Sequence, residues 1–423
     1  MKEKLKVLVV GSGGREHAIC RALLQSPWIE KVYCAPGNSG METDEIETVP
    51  LSELAFDKLK QFVKEKKLAW TFVGPEDALV AGIVDSFKQD GLKIFGPNAK
   101  AAQLEGSKEI ALHFMQTYGI PTAKFAAYDN VAEALQGLKY FELPVVIKAD
   151  GLAAGKGVTI AKNTVQAQKQ IKEQFAGKQT KVVLEEFLEG PEYSLFVVVN
   201  NKDYRILPVA QDHKRAYDGD KGPNTGGMGA YSPVPQLNKK DYQAMLTEVV
   251  EPSVAGLRKA ELDYCGILYI GLILTTSGPK VIEYNVRLGD PETQVVLPRL
   301  ASDFAELIDT CLNDKKLPKV ETSPKACLGV VVAAAGYPQK PLKSQLLPDL
   351  SSDKDAKITV DYANVKGKLP ALHGDGGRLL TVLSEGKSIT EAQSNVYRFL
   401  ETQVFEDCFY RKDIGAKATG KTY

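Results

Sequence analysis

Glu283 and Asn285 stand two residues apart in the run Val281-Ile282-Glu283-Tyr284-Asn285-Val286-Arg287. Alternate residues of a strand share a face, so their two side-chain oxygens point the same way. With water and phosphate oxygens completing the shell, such a pair commonly holds Mg²⁺ at a triphosphate. A half-buried edge strand facing water would carry the same residues. Against that reading, Arg287-Leu288-Gly289-Asp290-Pro291-Glu292 at once adds more charge in a tight turn. Earlier in the chain, Lys148 ends an apolar run and a Gly/Ala loop follows it, Gly151-Leu152-Ala153-Ala154-Gly155-Lys156-Gly157. This is not a Walker loop, because no Ser or Thr follows Lys156 and a strand, not a helix, comes next. The chemistry that fits is a hairpin flap whose amides cover a triphosphate, with Lys148 on a phosphate oxygen. A glycine-rich hairpin with solvated lysines is the plainer alternative. Val182-Val183-Leu184-Glu185-Glu186-Phe187-Leu188 then runs from buried strand into acidic and apolar residues, which suits a hinge that hydrogen-bonds an adenine edge through its backbone. Glu192, just beyond, is placed to accept from ribose hydroxyls.

A second anion-binding candidate opens the chain. Gly11-Ser12-Gly13-Gly14-Arg15-Glu16-His17-Ala18 follows a strand and starts a helix, a geometry that offers backbone N–H groups to a phosphate. It is not a good dinucleotide fingerprint. Glu16 replaces the third small residue, and the second strand ends in Cys34-Ala35-Pro36-Gly37-Asn38 without the acid a ribose would need. A simple tight turn would satisfy the glycines. Arg15 favours a monophosphate, to which a guanidinium adds a forked contact. A helix-start histidine such as His17 is more often structural than a ligand contact.

The elements that must position these residues fall into three groups. The first hundred residues alternate short β-rich runs with amphipathic stretches, giving a doubly wound parallel sheet. Its strands end at Gly11, Pro36-Gly37-Asn38, Gly74-Pro75 and Gly96-Pro97-Asn98, so those loops line the ligand crevice. From Ser107 the pattern becomes α+β, with helices over 108–118, 164–175 and 239–259 and a long glycine-rich loop over 211–231. Asn313 to Pro324 is polar and carries two prolines. It marks a boundary before a small C-terminal α+β domain. The expected domains are 1–104, 105–318 with a flap at 121–190, and 325–423.

Composition narrows the partners. Lys and Arg total 53 and Asp and Glu total 53, so net charge is zero and nothing draws the chain to nucleic acid or anionic lipid. The six cysteines show no CxxC pair, which fits reduced thiols without zinc. No secretory segment and no membrane-length apolar run is present in the sequence, so the cytoplasm is expected.

Lysine strand, glycine flap, Glu-Glu hinge and E-x-N strand, in this order, resemble the ATP-grasp fold. The likeness is closer to one family. The segment from Gly11 to Ala18, Ala35-Pro36-Gly37-Asn38, Val73-Gly74-Pro75-Glu76, the segment from Lys148 to Val158, Gln211-Asp212-His213-Lys214-Arg215, Gly222-Pro223-Asn224-Thr225-Gly226-Gly227-Met228-Gly229-Ala230-Tyr231 and the segment from Asn285 to Gln294 resemble the phosphoribosylamine–glycine ligases, also called glycinamide ribonucleotide synthetases. Gly374-Asp375-Gly376-Gly377-Arg378 is similar to that family's C-terminal domain.

The resemblance implies ATP on Lys108, Lys148, Gly155, Lys156, the hinge Glu185, Glu186, Phe187 and Leu188, and Glu192, Arg215 and Asn224. It implies Mg²⁺ or Mn²⁺ on Glu283 and Asn285. The phosphoribosyl group falls to Gly13, Gly14, Arg15 and Asn38, and glycine to Asp212, Arg287 and Asp290. Catalytic roles fall to Arg215, Arg287 and Asp212. Within the glycine set an arginine suits the carboxylate and an acid the ammonium. Leu288 departs from the family's common Phe without consequence for these assignments. The implied partners are glycine and 5-phosphoribosylamine, with no nucleic acid or membrane, in a monomer or homodimer. The end at Tyr423 leaves no room for the further enzymes fused to some members. Two rivals stay open, another ATP-grasp ligase with a different acid or amine and an NAD-linked oxidoreductase or nucleotide sensor.

Overall fold

The computed structural model describes residues 4–152, 157–177, 180–350 and 357–420. Five parallel strands form the first sheet: β1 Leu5–Gly11, β2 Ile29–Pro36, β3 Ile46–Thr48, β4 Thr71–Val73 and β5 Ile94–Phe95, in the order β3-β2-β1-β4-β5. Val7 to Val10 are fully buried, as continuous apolar runs must be when helices cover both faces of a parallel sheet. The helix Gly14–Leu24 starts directly from β1 and so aims its N-terminus over the sheet's carboxyl edge. After β4 come two short helices, Glu76–Val80 and Ile83–Gln89. Gly82 breaks them at φ +89°, a left-handed conformation that glycine adopts without penalty.

The flap is an antiparallel sheet of β6 Phe125–Tyr128, β7 Val145–Ala149, β8 Val158–Ala161 and β9 Val182–Glu186, in the order β6-β9-β7-β8. Its hydrophobic core is its own, built around Val145, Ile147, Ile171 and Leu184. Next come β10 Glu192–Val199, β11 Tyr204–Ile206, β12 Gln211–Asp212, β13 Arg215–Tyr217, β14 Lys221–Asn224, β15 Gly229–Ser232, β16 Gly266–Thr275 and β17 Gly278–Asn285. Of these, β11-β10-β16-β17 form the sheet that faces the flap.

The stretch expected as one glycine-rich loop is therefore mostly strand. β13 and β14 pair as a hairpin, and β12 and β15 flank it. The helix expected over 239–259 is unbroken but changes register, with a π turn at Leu246–Val250 before the helix Glu251–Lys259. Pro252 lacks the N–H for a normal α bond, and the wider turn absorbs the loss.

C-terminal strands β18 Ala326–Ala334, β19 Ile358–Tyr362, β20 Val365–Lys368, β21 Ala371–Gly374, β22 Arg378–Gly386 and β23 Cys408–Phe409 complete the fold. Their main sheet, β12-β15-β18-β22-β19 with β23 on β18, takes in β12 and β15 from the central segment. It also reaches the first domain. Arg21 on the first helix donates to both oxygens of fully buried Asp361 at 2.7 and 2.9 Å. Among the described residues no helix is long and apolar enough to cross a membrane.

Candidate active site

The flap sheet and the β10–β17 sheet meet at Lys148, Glu185 and β17. Lys148 Nζ lies 2.7 Å from Glu185 Oε2 and donates to the Ile282 carbonyl at 3.2 Å, tying the two sheets together. Among the described residues, buried Glu185 Oε1 has no hydrogen-bond partner, so this junction has unused acceptor capacity. At the hinge Glu186 pairs with Lys280 at 2.8 Å. Phe187 and Leu188 follow β9 directly, and Glu192 begins β10 with its side chain exposed. Lys108 starts the helix Lys108–Thr117, which precedes the flap, and donates to the Gly151 carbonyl at 3.4 Å. Gly155 and Lys156 lie outside the described residues.

On β17, Glu283 keeps 34 % of its side-chain surface open, and Lys214 stands 3.8 Å away. Burial works against its ionisation, but Lys214, Lys108, Lys148 and Arg287 prevail and hold it at about 2. Lys214 is correspondingly pushed well up, its burial outweighed by Tyr269, Glu283, Glu192 and Asp212. Asn285 lies on the same face, its Oδ1 accepting from Arg287 at 3.1 Å while its buried Nδ2 has no partner among the described residues. An ionised carboxylate and an amide oxygen with a spare lone pair suit a divalent cation that phosphate oxygens would also ligate. No cage of three or more His, Cys, Asp or Glu side chains occurs among the described residues.

Arg287 is tightly committed. Its Nε donates to Glu76 at 2.9 Å and Nη1 to the Leu288 carbonyl at 3.1 Å. Nη2 reaches both Asn285 and Glu105, the latter at 2.8 Å. Of a guanidinium's N–H groups this leaves a single Nη1–H, so a substrate carboxylate would be met end-on. Burial pushes Glu105 up to about 7 despite Arg287, whereas Arg287 and Arg15 overcome burial at Glu76 and hold it at about 2. Asp212 is pushed well up by burial and by the charge of Glu292. A bound ammonium would draw it back to the carboxylate. Asp290 already holds Gln294 at 2.7 Å and Arg378 at 2.8 Å, so it fixes the turn as well as facing the cleft.

At the first loop Glu16 accepts from the Gly13 N–H at 2.7 Å and from Arg15 Nε at 2.5 Å. Only glycine fits across from it, since a Cβ on Gly74 would sit 2.0 Å from Glu16 Oε1. Thus Glu16 fills the space a dinucleotide's close approach would require. Arg15 is 8 % exposed and also donates to the Leu288 carbonyl at 3.3 Å. Asn38 spends its amide N–H groups on Ser12 of the first loop and on Tyr362 of β19, donating to their carbonyls at 2.7 and 3.0 Å. Gly14 is buried at the helix start. Gly13 and Asp290 are neighbours, with a Cβ on Gly13 falling 3.7 Å from Asp290 Oδ2. The first loop and the turn that carries Asp290 therefore lie side by side.

His17 is structural, as its position suggests. Its Nδ1 accepts the Tyr362 N–H at 2.9 Å, and burial first, then Arg21, hold it down at about 4 against the pull of Asp361. An unfolded histidine titrates near ~6.5, so between that pH and about 4 the unfolded chain binds the extra proton and stability falls on acidification. Glu105 and Asp212 act in the opposite sense, and the comparison with His17→Gln isolates the histidine. From pH 7 to 5 that variant should gain about 2 kcal/mol on the parent in urea unfolding. An unchanged difference would refute the assignment.

Arg378, Glu105, Glu76, Glu292 and Lys214 are site residues to which the sequence assigned no role. Arg378 arrives from β22 and binds the Gly226 carbonyl at 2.7 Å and that of Asp290 at 2.6 Å. Glu292 accepts from Ser194 at 2.9 Å and Tyr269 at 2.7 Å. All but Glu105 lie inside quoted motifs, where a charged residue in the motif was the available signal. Glu105, on the helix Ala99–Gly106, offered none.

Two α+β sheets closing over a lysine, a hinge and an E-x-N strand define an ATP-grasp enzyme, a class of ligases that works with ATP. Residues 5–105, 106–293 and 327–417 match, in turn, the N domain, the ATP-grasp (A) domain and the C domain of phosphoribosylglycinamide synthetase. The chain belongs to the phosphoribosylglycinamide synthetase family. The phosphoribosylamine–glycine ligase of Streptococcus pneumoniae is 48 % identical over 98 % of this chain and all of its own length. A crystal structure of the Thermotoga maritima phosphoribosylamine–glycine ligase is 34 % identical, with a TM-score of 0.83 over 97 % of this chain and 100 % of its own. The biotin carboxylase domain of a Hydrogenobacter thermophilus carboxylase, solved with magnesium ADP, shares the fold at TM-score 0.73 and 16 % identity, covering 97 % of this chain and 92 % of that one.

Proposed function

We propose that this chain joins glycine to 5-phosphoribosylamine using ATP, giving glycinamide ribonucleotide, ADP and phosphate through a glycyl phosphate, in purine biosynthesis. The observation that carries the reading is the full-length likeness to phosphoribosylamine–glycine ligases. ATP lies against the hinge Glu185 to Leu188, with Lys148, Lys108, Arg215 and Asn224 toward its phosphates and Glu192 toward its ribose. Glu283 and Asn285 hold Mg²⁺ or Mn²⁺, which when bound neutralises charge on the transferring phosphoryl group.

A free carboxylate resists attack because an oxide must leave, and phosphorylation supplies the better leaving group. Arg287 orients the glycine carboxylate and Asp212 its ammonium, while Lys148, Lys214 and Arg215 absorb developing charge. Gly13, Gly14 and Arg15 hold the phosphate of the amine, whose nitrogen then attacks the acyl carbon. Closure of the flap keeps water from that intermediate. The division 1–104, 105–318 and 325–423 supplies amine site, nucleotide site and a clasp over both. The enzyme works in the cytoplasm as a monomer or homodimer.

ADP release coupled to a spectrophotometric assay tests the reading. It should require both glycine and freshly generated phosphoribosylamine, and omission of either should reduce it to background. Equal release with another amino acid or amine in their place would overturn the substrate assignment.

A further inference from the structure

The segment after the helix Ile389–Thr402 returns to the cleft and grips the β13–β14 hairpin along its length. Arg411 is 2 % exposed. Its guanidinium donates to the backbone carbonyl of Arg215 at 3.0 Å and to Asp220 Oδ1 at 2.9 Å. It also pairs with Asp413 at 2.7 and 2.6 Å. Asp413 in turn accepts the Gly219 N–H at 2.8 Å, and Asp218 accepts the Lys412 N–H at 2.8 Å. Lys417 closes on Asp220 at 2.6 Å. One buried cation thus fixes both the base of the hairpin, at Arg215, and its tip.

The hairpin needs such a mould. It is a sheet of two strands, and two-stranded hairpins are marginal by themselves. Gly219 and Gly222 have positive φ, which makes the turn still freer when unheld. Arg215 and Asn224 face each other across it, so moving the backbone of Arg215 moves both. Burying a guanidinium is costly unless it is fully paired, and here every contact but the Asp413 pair goes to the hairpin.

We infer that Arg411 is a positioning residue for the nucleotide: it acts through the Arg215 backbone to hold Arg215 and Asn224 where they meet ATP. The inference rests on the proposed reading of Arg215 and Asn224 as ATP contacts. It gives the chain's last segment a share in ATP binding, although none of that segment need touch the ligand.

The test compares Arg411→Gln, Asp220→Asn, Arg215→Ala and the double variant Arg215→Ala/Arg411→Gln in steady-state kinetics of the full chain, with thermal melts alongside. Arg411→Gln should raise KM for ATP about tenfold while KM for glycine and phosphoribosylamine stay within about twofold, since misplacement of a contact by about 1 Å costs on this scale. In the Arg215→Ala background the same change should add less than about twofold, the mark of action through that residue. Arg411→Lys should recover part of the ATP affinity, because one buried contact can be remade. Should Arg411→Gln fail to fold, Asp220→Asn, which leaves the Arg411–Asp413 pair intact, should raise KM for ATP about threefold. Equal changes in all three KM values, a lowered melting temperature with unchanged KM for ATP, or effects that multiply in the double variant would each overturn the inference. If Arg215→Ala leaves KM for ATP unchanged, the nucleotide reading of the hairpin fails, and the inference with it.

Discussion

Glu283→Ala is expected to lower turnover at least about a thousandfold, equivalent to about 4 kcal/mol of transition-state stabilisation, with the fold intact. Glu283 is surrounded by cations, with Lys214 at 3.8 Å, and burial does not keep it from ionising at about 2. Its folded value lies below the ordinary carboxylate range, so the charge is present throughout neutral and mildly acid pH and is lost only as pH falls toward about 2. Removing it therefore does more than delete the proposed metal ligand: it takes from Lys214 its 3.8 Å ion pair and turns the cleft more positive. Glu283→Gln separates the two effects, because it keeps the shape but not the charge. Both variants should bind Mn²⁺ in the presence of ADP at least about tenfold more weakly by electron paramagnetic resonance. Both variants should remain folded, with melting lowered modestly, since the charge lost is one that neighbouring cations favour but the side chain is part of no core. Turnover within tenfold of the parent at saturating Mg²⁺ would exclude Glu283 from the metal site.

The parts of this site legible in the sequence were those where local pattern and chemistry coincide. β17 announces Glu283 and Asn285 because alternation alone puts them on one face, and the structure keeps that face toward the cleft. The first sheet was equally plain, since buried parallel strands must read as apolar runs ending in turn residues. What escaped was everything that depends on distant segments. Nothing in 211–231 shows that its glycines flank strands that extend a sheet begun more than ninety residues later. Glycine composition signals a loop, whereas pairing to β18 decides otherwise. Asn38 and Asp290 sit in motifs that suggest ligand contacts, yet much of their hydrogen-bonding capacity holds the loop and the turn in place. Arg411 has no motif of its own, Arg378 ends one that carries no hint of its partners, and only tertiary structure brings them to the cleft. A sequence motif names the residues that meet the substrate more readily than those that hold them still.

Carboxylate-labelled [¹⁸O]glycine should deliver one labelled oxygen to inorganic phosphate per amide formed. The expectation follows from the order of bonds in the proposed mechanism. A glycine carboxylate oxygen attacks the γ-phosphorus and ADP leaves; the amine nitrogen then attacks the acyl carbon, and phosphate departs with that same oxygen. The site is arranged for this sequence. Arg287 offers a single free Nη1–H, enough to orient a carboxylate end-on without clamping both of its oxygens. Lys148 and Lys214 stand beside Glu283, where charge would develop during transfer. If ATP hydrolysis instead served only to drive closure, the phosphate would take its new oxygen from water and the label would leave as water. Mass analysis of the released phosphate separates the two, and a control in H₂¹⁸O with unlabelled glycine should return unlabelled phosphate. Unlabelled phosphate from labelled glycine, with amide formed in full yield, would eliminate the acyl phosphate even if both substrates proved correct.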